Sequence, residues 1–189
     1  MDQPSNDSPV RRALALGERI VAAGDEIERT RLMNEPLLTD LHDARLFRLL
    51  LPRSVGGEQI DPGTYFEAIE AVSSRDASVG WNMFVANSSA LIAPFLERET
   101  AHAIFGDPRT IVAWGPPNTC EAQAVLGGYR VTGRWDFASG CRQANWIGAH
   151  AHVREADGAL RQNRFGRAAV RTLLMPIASA ALHDTWNTI

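Results

Sequence analysis

The chain has 189 residues, of which 45% are hydrophobic and 22% charged, values typical of a globular protein with a buried core. Nineteen basic and 22 acidic side chains give a net charge of −3 at pH 7, and no cluster of basic residues offers electrostatic support for nucleic-acid binding. The N-terminus is polar, and no apolar run typical of a signal sequence or a membrane anchor follows it. We therefore expect a cytoplasmic protein without membrane contact.

The first half of the sequence has the pattern of helices. Apolar residues recur at helical spacing, and Ser8, Asp61 and Asp76 stand where N-cap residues belong. Proline at the first helical position or after a leucine run marks further starts and stops. We expect helices over residues 9–34, 36–51, 62–75, 77–96 and 97–105.

The fourth of these helices contains the longest apolar stretch of the chain. Its polar residues Asn82, Asn87, Ser88 and Ser89 argue against a membrane span, because each would need a partner inside the bilayer. We expect a buried core helix. Asn82 and Asn87 are candidates for the substrate side of a binding site, since buried amides need partners; bonding to neighbouring backbone is the alternative.

After about residue 108 the pattern changes to short strands separated by turn residues. Gly127-Gly128 indicates a hairpin, and residues 161–169 indicate an exposed loop. The expected strands are 111–114, 122–126, 129–137, 146–153 and 171–175. The sequence therefore predicts an α+β fold, with a helical domain over residues 1–108 and a β domain over residues 109–189.

Residues 133–146, GRWDFASGCRQANW, follow neither a helical nor a regular strand pattern. They align without a gap to the flavin-contacting strand of the acyl-CoA dehydrogenase superfamily, which reads N-G-x-K-x-W-I-T-N-x-x-x-A-N-W. Leu51-Pro52 followed by Gly56-Gly57 resembles that superfamily's L-x-P-x-x-x-G-G loop, and residues 74–78 resemble its D-x-S segment. The chain thus resembles the superfamily over roughly residues 10–189.

Within that superfamily the sequence is more similar to the flavin-dependent monooxygenases than to the dehydrogenases. Residues 133–140 have the form G-x-W-x-F-x-S-G of two-component aromatic hydroxylases and sulfur-compound monooxygenases, and residues 113–120 lack the G-S-D of dehydrogenases. The resemblance implies an oxygenase component that receives reduced FMN or FAD from a separate flavin reductase. It would use O₂ on an aromatic or heteroatom small-molecule substrate.

The resemblance also implies the architecture. We expect an all-helical N-terminal domain, then a β-barrel-like or sandwich middle domain, with the superfamily's C-terminal helical bundle absent from this sequence. Because that bundle carries the catalytic base in the superfamily, no catalytic residue is assigned. An uncovered apolar helix face and an unpaired sheet edge then predict a homo-oligomer.

The flavin is expected to meet the ends of two strands. An isoalloxazine ring needs a flat apolar wall and hydrogen-bond donors at its polar edge, which Phe137 and Ser139 can supply. In the resembled proteins the first β segment adds backbone contacts. The expected cofactor-binding residues are Trp114, Gly115, Phe137, Ala138, Ser139 and Gly140.

Two other functions remain open: an acyl-CoA dehydrogenase, and a non-catalytic fragment or interaction module of the same fold. A metal site is not expected, because His150 and His152 share one strand face but have no third ligand at a usual spacing. Cys120 and Cys141 lack CxxC spacing, and we expect both to be free thiols.

Overall fold

The computed structural model describes residues 7–116 and 120–185 of the chain. Within these residues helices precede strands, so the predicted α+β class is confirmed. The helices are α1 Pro9–Ala15, α2 Gly17–Thr30, α3 Glu35–Asp43, α4 Pro62–Ser73, α5 Ala77–Ala90 and α6 Arg98–Phe105. The strands are β1 Val112–Gly115, β2 Glu121–Val125, β3 Gly128–Thr132, β4 Trp146–Arg154 and β5 Val170–Pro176. Residues 117–119, part of the segment compared above with the dehydrogenase motif, lie outside the described residues.

Side-chain caps explain where the helices begin. The predicted caps Ser8, Asp61 and Asp76 each accept a hydrogen bond from a backbone N–H of the following first turn. Asn34 does the same for α3. These bonds satisfy donors that a helix leaves unpaired at its start, so the sequence fixes these four helix starts locally.

The ends of the helices depart from the predicted ones. Residues 9–34 form two helices that meet at Leu16. α3 stops at Asp43, because Arg45 takes a φ of +58° that no helix contains, and the fully buried Leu46 follows it into a turn. α5 stops at Ala90, and a short 3₁₀ turn around Pro94 replaces its predicted last part, since proline cannot donate a helical hydrogen bond.

The turn after α3 is held against α5 by one completely buried amide, that of Asn87. Its Oδ1 accepts from the backbone N–H groups of Leu49 (2.8 Å) and Leu50 (3.3 Å). Its Nδ2 donates to the carbonyl oxygens of Leu46 (2.8 Å) and Met83 (2.9 Å). Three of these partners belong to a turn without regular secondary structure. The Asn87 amide therefore supplies the hydrogen bonds that a helix or a sheet would otherwise provide.

The loop of residues 51–57 is held by a second buried polar side chain, Arg48. Among the described residues its guanidinium donates to four backbone carbonyls, two in this loop, one at the last residue of α6 and one just after α6, and burial lowers its pKa. The four acceptors are those of Val55, Gly56, Phe105 and Asp107. Arg48 therefore joins the loop to the point where the chain leaves the helices for the sheet.

β4 is the central strand of the sheet. β5 pairs antiparallel with one of its edges, while β1 and β2 pair parallel with the other edge, one after the other. β3 pairs antiparallel with β2 through the two-residue turn Leu126-Gly127, where Gly127 has φ +82°. The predicted hairpin is confirmed, with its turn one residue earlier, because glycine is needed at the left-handed position.

Two expectations about the β region need correction. Within the described residues the strands form one open mixed sheet, where a barrel or a sandwich was predicted. β3 ends at Thr132 rather than at Phe137. Its partner β2 begins directly opposite Thr132, at Glu121, and the pairing of the two strands ends there.

The sheet and the helices share one apolar cluster. It contains Leu51 and Phe105 from the helical part together with Val112, and the half-buried Trp146 and Leu174 pack against it. Secondary structure therefore changes near residue 108, but buried side chains pack across this boundary. No helix in residues 7–116 and 120–185 is long and apolar enough to span a bilayer.

Replacing Asn87 by alanine should lower the free energy of unfolding by about 2–4 kcal/mol, because buried backbone groups are left unpaired at about 1–3 kcal/mol each. Urea unfolding monitored by circular dichroism measures it. The matched variant Asn87→Asp keeps the acceptors but loses the donors, and burial opposes its ionisation. Its destabilisation should therefore grow from pH 4 to pH 7, and a pH-independent loss below 1 kcal/mol for both variants would contradict this role.

Candidate functional site

Residues 133–145 connect β3 to β4 without regular secondary structure. Trp135 covers Gly115, where an added Cβ would lie 2.6 Å from the Cβ of Trp135, and its Nε1 donates to the carbonyl of His150 at 3.3 Å. At the other end, Asn145 Oδ1 accepts from the backbone N–H of Ile111 at 3.0 Å. The segment is thus fixed to the sheet at both ends.

Between these ends lies the 137–143 loop. Phe137 has φ +55° and Gly140 has φ +78°, so two of its residues are left-handed. For a bulky residue such as Phe137 this conformation costs about 1–2 kcal/mol. Backbone strain of this kind clusters at functional sites, and the side chain of Phe137 is 63% exposed. The loop presents an aromatic face in a conformation that local propensity alone would not produce.

Ser139 is half-buried in the same loop. Its backbone N–H donates to the carbonyl of Phe137 at 2.7 Å. Within the described residues its hydroxyl forms no hydrogen bond. Ala138 beside it is also half-buried, so the loop offers one hydroxyl and several backbone groups to a ligand.

The loop meets α5 at Asn82. Gln143 Nε2 donates to Asn82 Oδ1 at 2.5 Å, and Asn82 Nδ2 donates to the carbonyl of Ser78 at 2.8 Å. A Cβ on Gly140 would lie 3.0 Å from the same Asn82 oxygen. Of the two amides expected near a substrate, Asn82 lies beside the loop. Asn87 is occupied by the turn after α3.

Trp114 and Gly115 are neighbours on β1 but serve opposite faces of the sheet. The ring of Trp114 packs on Gly148, where an added Cβ would lie 2.3 Å from it, and meets the ring of His150 edge-on at 4.7 Å. Gly115 lies under Trp135 on the other face. The structure therefore brings Gly115 into contact with the segment that carries the loop.

Gln143 and Trp135 were not assigned as site residues from the sequence. Trp135 is part of the G-x-W-x-F-x-S-G motif, so the motif itself could have indicated it. Gln143 falls on a position that the quoted superfamily pattern leaves unspecified, and its partner Asn82 is 61 residues away. No local pattern could have joined the two.

Asp184 and two histidines are further polar groups that could contribute to a site. Asp184 accepts from Arg142 at 2.8 Å and lies 3.2 Å from Arg31. His150 Nδ1 lies 3.0 Å from the Thr172 hydroxyl, whereas His152 is exposed. Over residues 7–116 and 120–185 no three His, Cys, Asp or Glu side chains cluster as metal ligands would.

Comparison with known proteins relates this arrangement to enzymes. The chain is 30% identical over 184 residues to the indole-3-acetate monooxygenase of Pseudomonas putida, a match that covers 96% of the chain and 44% of that enzyme. It is 28% identical to the oxygenase component of an FADH(2)-dependent resorcinol hydroxylase from Rhizobium sp. (strain MTP-10005), covering 99% and 45%. Its homologues are flavin-dependent monooxygenases. The chain spans less than half the length of these curated relatives.

Solved structures with the same fold include a complex with reduced flavin and a monooxygenase. XiaF from Streptomyces sp., in complex with FADH2 and glycerol, superposes with a TM-score of 0.86 at 26% identity, over 96% of this chain and 44% of XiaF. The HsaA monooxygenase of Mycobacterium tuberculosis superposes with a TM-score of 0.84 at 25% identity, over 98% and 49%. No protein-family model matches the sequence. The likeness to monooxygenases favours that branch over the dehydrogenases.

The reactivity of the two cysteines can test how the 137–143 loop is packed. Both are free; Cys120 is buried and Cys141 is half-buried in the loop, where burial raises the pKa of its thiol. We expect Cys141 alone to react with iodoacetamide in the folded chain. Because the thiolate is the nucleophile, its rate should keep rising with pH beyond the ordinary thiol range, as mass spectrometry of labelled peptides can measure. Reaction of Cys120 at a similar rate would contradict the packing described.

Proposed function

We propose that this chain forms part of the flavin site in the oxygenase component of a two-component monooxygenase. The enzyme would use reduced FMN or FAD and O₂ to oxygenate an aromatic or heteroatom small molecule. The observation that carries the proposal is the 137–143 loop, which has a strained, exposed Phe137 beside a Ser139 hydroxyl that forms no hydrogen bond to the residues that the structure describes. The homologues are flavin-dependent monooxygenases, and those named above include enzymes of indole-3-acetate and resorcinol.

The residues of the loop fit a flavin. Phe137 can supply an apolar wall for the isoalloxazine ring, while the Ser139 hydroxyl and the backbone of Ala138 and Gly140 can bond its polar edge. When bound, the reduced flavin supplies the electrons for oxygen activation. The chain's own part would be to orient the ring, bond its edge and keep water away. Trp114 and Gly115 remain proposed contacts, with Gly115 supported by its place under Trp135.

Two-component chemistry requires a partner that reduces the flavin, so we propose a flavin reductase as partner. An acyl-CoA dehydrogenase is less well supported, because the homologues named above are monooxygenases. A non-catalytic module of the same fold is the second candidate. Flavin binding distinguishes the two.

We further propose a helical domain over residues 1–108, a β domain over residues 109–189, and a homo-oligomer. The exposed apolar side chains along and after α5 support self-association, with Trp81 at 55%, Leu91 at 49% and Phe95 at 84% exposure. Sedimentation velocity should show an oligomer that Trp81→Ser with Phe95→Ser shifts toward monomer. If the chain stays monomeric when its concentration is raised 100-fold, self-association is contradicted.

Purified chain should bind dithionite-reduced FMN or FAD in an anaerobic fluorescence titration. Ser139→Ala and Phe137→Ala should each raise the dissociation constant about three- to tenfold, because one hydrogen bond or one aromatic contact contributes about 0.5–1.5 kcal/mol. Ser54→Ala and Phe165→Ala serve as controls of equal chemistry, since both side chains are exposed elsewhere on the surface. Absence of binding by both flavins in both redox states would support the non-catalytic module instead.

A further inference from the structure

We propose that Asn82 and Gln143 are positioning residues that hold the 137–143 loop in the conformation it presents to flavin. The cofactor part of this proposal rests on the proposed function. Asn82 was expected from the sequence to face a substrate, and Gln143 was given no role. The contacts of both side chains assign them to the loop instead.

The contact geometry leaves little freedom at the centre of the loop. Gln143 Nε2 donates to Asn82 Oδ1 at 2.5 Å, which lies on the rigid helix α5. The same oxygen lies 3.0 Å from the place where Gly140 would carry a Cβ. Gly140 is next to Ser139, so the Asn82 oxygen limits the backbone of the residue that follows the proposed flavin contact.

Asn82 is itself oriented. Its Nδ2 donates to the Ser78 carbonyl one helical turn earlier, at 2.8 Å, so its Oδ1 is turned toward the loop. Exchanging its two terminal atoms would set oxygen against the Ser78 carbonyl and nitrogen against the Gln143 amide donor. The bond to Ser78 therefore selects the orientation in which Asn82 accepts from Gln143.

The loop and its flanks have further attachments in the described part of the chain. Arg142 pairs with Asp184, but both side chains are partly exposed, at 41% and 30%, and such pairs are screened by solvent and salt. Trp135 and Asn145 fix the segment outside the loop. The neutral amide pair, in contrast, acts on the loop itself and does not depend on charge, so pH and salt should leave it unchanged.

The test uses the 189-residue chain and two readouts. The first is the iodoacetamide labelling rate of Cys141, which lies between Gly140 and Gln143 and reports loop opening. The second is the dissociation constant for anaerobically reduced FMN and FAD. Gln143→Met and Asn82→Leu remove the hydrogen bond at nearly constant volume. Asn82→Asp keeps the acceptor, and Gln162→Met is the control because Gln162 is exposed on another loop.

We expect Gln143→Met and Asn82→Leu to raise both the labelling rate and the dissociation constant about three- to tenfold, the effect of one lost hydrogen bond. Asn82→Asp should fall between these variants and the unmodified chain, since a carboxylate accepts the bond from Gln143 but cannot donate to the Ser78 carbonyl. Gln162→Met should change neither readout. Cys120 should stay unlabelled throughout, which shows that the variants are folded.

Unchanged labelling in both Gln143→Met and Asn82→Leu would overturn the proposal. Faster labelling with an unchanged dissociation constant would also overturn its cofactor part, because the pair would then be merely structural. If the unmodified chain binds neither flavin, the proposed function fails, and the labelling rates still decide whether the pair holds the loop.

Discussion

The buried amide of Asn87 connects the two parts of the helical region on which the candidate site depends. It bonds the backbone of an irregular turn to α5, and α5 in turn carries Asn82 against the 137–143 loop. α5 can hold Asn82 in a fixed position only if its own buried polar groups are hydrogen-bonded, because each unsatisfied group costs about 1–3 kcal/mol. Arg48 likewise bonds backbone carbonyls at the end of α6, where the chain passes from the helices to the sheet.

The sheet supplies the second constraint. β1 and β2 share one edge of β4, and the connection from β3 back to β4 must pass β1 to reach its start. Trp135 over Gly115 and Asn145 beside Ile111 fix that passage at its two ends. The loop between them is therefore short, held on both sides and strained at Phe137. These are the conditions under which a polar and aromatic surface can be preorganised for a ligand.

The sequence predicts what local chemistry determines. Capping side chains and prolines give the starts of α1, α3, α4 and α5, and Gly127 gives the hairpin, because each acts within a few residues of itself. The motif around Ser139 indicated the loop through its resemblance to flavin enzymes. The end of β3 was missed because it depends on where β2 begins. Gln143 was missed because its partner is distant in sequence, and a five-stranded open sheet was not anticipated because the pairing of β4 with three other strands is long-range.

The 137–143 loop, held in place by α5, is the surface that we propose flavin contacts. Hydrogen–deuterium exchange of the chain, with and without reduced FMN under anaerobic conditions, tests this most directly. The account predicts slower exchange in peptides that cover residues 133–146 and 78–85, with little change in the 155–169 region. Protection confined to other regions, or no protection with flavin in large excess over the chain, would contradict it.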